Sequence, residues 1–336
     1  MRSKITKYGA VMITLIALLG GAEASCPTCG GGSGGIWDGE SWIETALGGS
    51  SNDSATSSDS ATTNDIAPST GMESETDADA GSEAASYDDY DTSTWSVSAL
   101  ELRKMLDEDQ KPVIAYVSNS PPQSSSYIEG SISLPSKSFI KEEDSGRGTL
   151  KSESEMAGVL GSAGVTEDEG LVIYGDCLSC GDLTFVFWIM QYLGHENVTI
   201  LRGSSGDWIA AGIPTAGSTT TRPAAIYSPY LRPELLADYE SVAAGEFVVV
   251  DARTPDQFVA GHIDGAINID FNRVIEGGWI KGDPALAEIF ADLEADRPVV
   301  VYTKNGGQAS IVWYALMLQG RDARLYTWND WLRHQS

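Results

Sequence analysis

The chain has 336 residues and a formal net charge of −27. The length allows one to three domains of ordinary size. The charge argues against nucleic acid and anionic membrane surfaces as partners, and it names no cationic partner in their place.

In chain order, Arg2, Lys4 and Lys7 form a basic region ahead of the apolar run AVMITLIALL and the small-residue stretch GGAEASC. This pattern predicts a secretory signal peptide over residues 1–24, cut after Ala24 in the A-x-A context Ala22-Glu23-Ala24. The apolar run is too short to span a bilayer comfortably. Export to a periplasm or cell envelope is therefore expected, with the chain either free or tethered through a lipid on Cys26. Glu23, rather than an aliphatic residue, stands three positions before that cysteine. A flexible tail behind a lipid-bearing cysteine would nevertheless make a good spacer.

Residues 25–93 are rich in Gly, Ser, Thr, Asp and Ala, with no Lys or Arg between Lys7 and Arg103. Such a segment buries too little apolar surface to fold alone and is expected to be a disordered acidic linker. It holds one C-x-x-C pair, Cys26 and Cys29, and one apolar island, IWDGESWIETAL at residues 36–47. Trp42, Ile43, Ala46 and Leu47 fall on one helical face, so the island is either a docking helix for another protein or a segment resting on the chain's own surface.

From residue 94 onward, short apolar strands alternate with helical patterns. PVIAYV, GLVIYGD and NVTILRG read as strands, and SALELRKMLDED, TFVFWIMQYLG and SGDWIAAGIP as helices. After a Pro/Ser/Thr-rich bridge around residues 215–229, PELLADYESVAAG, PALAEIFADLEAD, GQASIVWYALMLQG and NDWLRH read as helices. EFVVVDA, PVVVYT and DARLYT are the strands of this second round. The predicted class is α/β with parallel sheets covered on both faces. VIY…FWIMQYLG matches VVY…WYALMLQG, so the two rounds are read as an internal duplication, with domains at 94–216 and 223–336.

In open α/β sheets ligands sit at the carboxyl ends of the strands, beside helix N-termini. The stretch TKNGGQA is placed there: Thr303, Lys304, Asn305, Gly306, Gly307 and Gln308, with glycines that free backbone N–H groups to face an anion. Asp251 and Arg253 stand at a second strand end, followed by a turn through Gly261, His262 and Gly265. The second C-x-x-C pair, Cys177 and Cys180, lies in the corresponding loop of the first round. Disulfides are the ordinary reading of both pairs in an oxidising compartment. Four thiolates on zinc or a softer metal are the rival, although the spacing far exceeds that of zinc fingers.

On these residues the sequence resembles the rhodanese family: DARTPDQFVAGHIDGAIN is similar to its D-x-R…G-H-I-x-G-A signature, and VVVYTKNGGQAS to its active-site strand and loop. The first round carries weaker echoes in YIEGSISLP and YLGHENVTILRGSSGDWIAAGIP. The resemblance implies two tandem rhodanese-like domains. It also implies a loop cysteine that takes sulfur from thiosulfate or a similar donor as a persulfide and passes it to a thiophilic acceptor. Here Thr303 holds that cysteine's place, Gln308 stands where a cation is common, and Gln257 replaces the acid expected to pair with Arg253. A hydroxyl cannot form a persulfide.

In the first domain Tyr127 replaces the signature histidine, while the loop GDCLSCGD carries two thiols. Helical register makes Cys177 the candidate nucleophile and Cys180 its resolving thiol. A helix N-terminus would lower the thiol pKa, and Asp176 and Asp182 would oppose that. An inert disulfide bracing a longer loop is the alternative. Three functions follow: an exported carrier of sulfur or a related selenium species, a non-catalytic binding or scaffold protein of a cell-envelope complex, or a redox or metal-binding C-x-x-C protein. No cofactor is expected. The partners are a small anionic sulfur or selenium species and, through residues 36–47, another protein.

Overall fold

The computed structural model describes residues 95–108, 111–142 and 148–335. The expected signal peptide, the acidic linker with Cys26 and Cys29, and the docking island at 36–47 lie outside them.

The β-branched runs of the first copy form strands, and the two central runs, Val113–Tyr116 and Leu171–Tyr174, are buried throughout, as in a sheet covered on both faces. The strands are β1 (Ser96–Val97), β2 (Val113–Tyr116), β3 (Ile132–Ser133), β4 (Leu171–Tyr174) and β5 (Val198–Leu201). The sheet is parallel throughout, in the order β1-β5-β4-β2-β3. The second copy contributes β6 (Val248–Asp251), β7 (Ile267–Asn268), β8 (Val299–Thr303) and β9 (Ala323–Thr327), also parallel, in the order β7-β6-β8-β9. Leu236 bridges to Leu325 on β9, as Ser96 of β1 pairs with Ile200 on β5. With that bridge the two sheets share one five-position order, and the duplication inferred from sequence is visible in topology.

Helices α1 (Ala99–Met105), α2 (Glu153–Ser162), α3 (Asp182–Tyr192) and α4 (Ser205–Ala210) flank the first sheet. Helices α5 (Tyr239–Ala243), α6 (Pro255–Val259), α7 (Asp283–Ile289), α8 (Ala309–Leu318) and α9 (Trp328–His334) accompany the second. Two expectations need correcting. PELLADYESVAAG is not one helix: Leu236–Ala237 run extended, with the Ala237 N–H donating to the Leu325 carbonyl at 2.9 Å. Helix α5 starts only after Asp238, whose carboxylate accepts the Ser241 N–H. Helix α7 likewise ends at Ile289, short of the predicted PALAEIFADLEAD. Helix α2 has no counterpart among the expected elements; its two glycines lower helix propensity, and the Ser152–Glu155 capping box is the signal that marks it.

The core explains why α3 and α8 are apolar all round. Every residue of α3 is buried, as is α8 from Ala309 to Leu316, the pattern of a helix enclosed on all sides. Each lies between its own sheet and the other copy, and one hydrophobic core runs through both. The seam is pseudo-twofold. The Thr184 and Ser310 hydroxyls, equivalent positions 126 residues apart, hydrogen-bond each other at 2.7 Å in the interior. Gly181 and Gly307 show the same spacing and touch; a Cβ on Gly181 would lie 2.8 Å from the Gly307 carbonyl carbon, and Gly181 has φ +84°. The Trp188 indole donates to the Leu235 carbonyl of the second copy, and Tyr314, its equivalent, donates to the Trp95 carbonyl of the first, both at 3.3 Å. Reciprocal contacts of this kind define an isologous interface, here within one chain.

Trp188, Trp208 and Trp313 are fully buried, as their helical positions suggest, while Trp328 and Trp331 are half-buried. The seam hydrogen bond generates a test. In a double-mutant cycle of Thr184→Val and Ser310→Ala, thermal or denaturant unfolding should give a coupling energy of about 0.5–1.5 kcal/mol. Additive effects would mean that the two hydroxyls do not hold the copies together.

Candidate functional site at the domain seam

The loop after β8 is built on Thr303, which is buried with 4% of its surface exposed. Its Oγ1 accepts the Ala309 N–H, at the head of α8, at 3.3 Å. One of the amides that the sequence placed at the mouth of an anion crevice therefore faces the chain's own hydroxyl. Gly306 has φ +88°, a conformation that suits glycine, and Gly306 and Gly307 are both buried. Asn305 accepts from the Asn329 side chain at 2.5 Å, and the Lys304 carbonyl accepts the Asn329 N–H at 3.2 Å. Lys304 and Gln308 are half-exposed.

The first-copy loop occupies the corresponding place, at the carboxyl end of β4 and the head of α3. Cys177 and Cys180 are joined by a disulfide, and both are half-exposed. The Cys180 N–H points at Cys177 Sγ at 3.2 Å, and Ser179 Oγ lies 3.4 Å from the same sulfur. The two acids beside the pair are tied into the scaffold. Asp176 accepts the Gln123 N–H at 2.8 Å, and buried Asp182 accepts from Ser136 Oγ at 2.5 Å and Asn119 Nδ2 at 2.8 Å. Asn119, Ser136 and Asn329 carry these loops without having been picked out from sequence. Their signal is positional: Asn119 follows β2 closely, as Arg253 follows β6.

The Gly181–Gly307 contact brings the two loops together, with Cys180 directly beside the point of closest approach. A separate cavity of about 460 Å³, lined by Phe247, Ile263, Ile267, Arg297 and Trp331 among others, shares no residue with either loop. Among the described residues, no group of three or more His, Cys, Asp or Glu side chains is gathered to hold a metal.

The turn signature is a structural brace. Arg253 makes a buried bidentate pair with Asp251, with Nη2–Oδ2 at 2.6 Å, and Nη2 also donates to the Gly261 carbonyl. The guanidinium lies 4.5 Å from the Trp328 ring centroid. Burial works against the Arg253 charge, but Asp251 more than offsets it, and the arginine pKa is raised. Tyr302 donates to Asp251 Oδ2 at 2.7 Å and accepts the Ile263 N–H at 3.1 Å. Tyr174 accepts the Ile128 N–H at 2.9 Å in the same way, so Tyr127 does stand where His262 does. The expectation that Arg253 lacks an acidic partner is corrected: Asp251 is that partner. Gln257 is instead exposed and accepts the Thr254 N–H in the cap of α6. His262 is exposed, stacked on Phe258 with Nδ1 3.0 Å from its carbonyl oxygen, and Gly265 takes φ +80° in the turn.

Removing Arg253 would strand a buried carboxylate. Arg253→Ala is expected to cost about 3–5 kcal/mol, whereas Gln257→Glu should change stability by less than about 0.5 kcal/mol. Denaturant unfolding of both variants checks this, and a comparable loss from Gln257→Glu would restore that position as a partner of Arg253.

Residues 235–333 match the model of the rhodanese-like domain. The chain is 28% identical over 207 residues to the thiosulfate sulfurtransferase of Rattus norvegicus, covering 55% of this chain and 70% of that protein. It is 29% identical over 266 residues to SseB, a putative thiosulfate sulfurtransferase of Mycobacterium tuberculosis, covering 70% and 87%. The solved structure of SseA from Escherichia coli, described as a 3-mercaptopyruvate sulfotransferase, superposes with a TM-score of 0.60 at 22% identity, over 70% of this chain and 99% of that one. The fold is that of tandem rhodanese-like domains, each a parallel sheet flanked by helices, and the rhodanese-like family match lies in the second of them.

Proposed function

We propose that this protein is an exported sulfur carrier whose chemistry resides on Cys177 of the first domain, residues 94–216, with Cys180 as its resolving thiol. The observation that carries this reading is the bonded cysteine pair at the carboxyl end of β4, in the helical register that Thr303 occupies beside α8. A thiolate at a helix head is a competent nucleophile; a buried threonine hydroxyl that already accepts a backbone N–H is not. In loading, the Cys177 thiolate attacks the outer sulfur of a small anionic donor such as thiosulfate. The S–S bond of the donor breaks, sulfite leaves with its electron pair, and Cys177 becomes a persulfide. A chemically similar selenium species would react in the same manner. Residues 223–336 then form a degenerate partner domain, and the N-terminal pattern supports a periplasmic or cell-envelope location, free or lipid-anchored through Cys26. A disulfide at Cys177–Cys180 suits such an oxidising compartment.

One observation favours a second reading. The Thr303 hydroxyl turned onto the Ala309 N–H resembles a site converted to structure, as in a non-catalytic scaffold that would dock a partner through residues 36–47.

The test is sulfur loading of the reduced full chain in the Cys180→Ser background, which keeps any persulfide from being resolved. After thiosulfate, peptide mapping should find one added sulfur on Cys177, removable by cyanide and absent when Cys177→Ser is added. A chain that takes up no sulfur, or takes it only on Cys26 or Cys29, would favour the scaffold.

A further inference from the structure

The fate of sulfur on Cys177 is set by what lies within its reach. The Cα atoms of Cys177 and Cys180 are 5.4 Å apart, and the two sulfurs are already bonded. The turn that brings them together is closed by the Gly181 N–H on the Leu178 carbonyl at 3.0 Å. Cys180 is held at this distance by the two residues that follow it. Gly181 is pressed on Gly307, and the first residue of α3, Asp182, is fastened by Ser136 and Asn119. The bonded pair marks the approach of Cys180 onto the sulfur atom of Cys177 itself, which is the inner sulfur of a persulfide formed there. A tethered thiol on that path outcompetes a dissolved acceptor by proximity alone.

We propose that the first-domain loop is a sulfide-releasing dithiol centre, an activity that rests on the carrier reading above and adds a reaction to it. The Cys180 thiol loses its proton and attacks the inner sulfur of the Cys177 persulfide. The Cys177–Cys180 bond forms, the bond to the outer sulfur breaks, and that sulfur leaves with the electron pair and the proton as hydrosulfide. The sulfane sulfur is reduced by two electrons while the cysteine pair is oxidised by two. The disulfide seen here is the product state of that step. Each further turnover needs a dithiol reductant, which becomes a disulfide as Cys177 and Cys180 regain their hydrogens. The protein therefore stands between a reaction that generates a sulfane donor and a dithiol–disulfide exchange reaction that supplies electrons, and it needs no external thiophilic acceptor.

The experiment uses the full chain, reduced, freed of reductant and kept without oxygen, then given thiosulfate. The wild-type chain should release hydrosulfide in a single burst and stop, with a Cys177–Cys180 disulfide found by peptide mapping. Reduction, desalting and a second addition of thiosulfate should give a second burst. Cys180→Ser should hold its sulfur, with the burst reduced at least about tenfold. A wild-type chain that keeps its persulfide beside a free Cys180 thiol would overturn this inference and leave the carrier reading intact. Failure of the Cys180→Ser chain to take up sulfur at Cys177 would overturn the carrier reading, and this inference with it.

Discussion

The close approach of α3 and α8 is the constraint on which the rest depends. Two helices that are apolar all round cannot be left exposed, and each copy alone would cover only the side facing its own sheet. Pairing them hides both at once. At the heads of these helices it also demands residues small enough for backbone contact: Gly181 against Gly307, and Thr184 against Ser310. The carboxyl ends of both sheets, where α/β proteins place their chemistry, are thereby drawn to one seam.

Held in equivalent places, the two loops have taken different courses. The second holds the Asp251–Arg253 pair, the Tyr302 hydroxyl and the Gly306–Gly307 turn in one connected brace. The position equivalent to Cys177, however, is a threonine whose oxygen accepts a helix amide. The first has given up the ion pair: Tyr116 and Ser118 stand where Asp251 and Arg253 do, and Tyr116, Tyr127 and Tyr174 pack as an aromatic cluster with Trp208. It retains the thiols. The ion-pair brace and the thiol pair thus lie in different copies, and the seam keeps them adjacent.

Much of this was legible in the sequence. Apolar runs bounded by turn residues fixed the main strands, and the all-round apolar character of TFVFWIMQYLG marked a helix enclosed on every side. The register argument that set Cys177 opposite Thr303 used the same spacing that joins Thr184 to Ser310. What escaped the sequence depends on tertiary contacts. Leu236 reads as helical until β9 offers it a bridge. The pairing of Arg253 with Asp251 needs the strand end to turn so that two residues of one short stretch face each other. The roles of Asn119 and Ser136 appear only when the loop after β2 meets the first turn of α3.

The most direct measurement is a crystal structure of the reduced protein after exposure to thiosulfate. The account requires an additional sulfur atom on Cys177, or a re-formed Cys177–Cys180 bond after its departure, with the Thr303 hydroxyl still on the Ala309 amide. A sulfur oxyanion bound in the Thr303–Gln308 loop beside an unmodified, reduced Cys177 would contradict it and return the chemistry to the second domain.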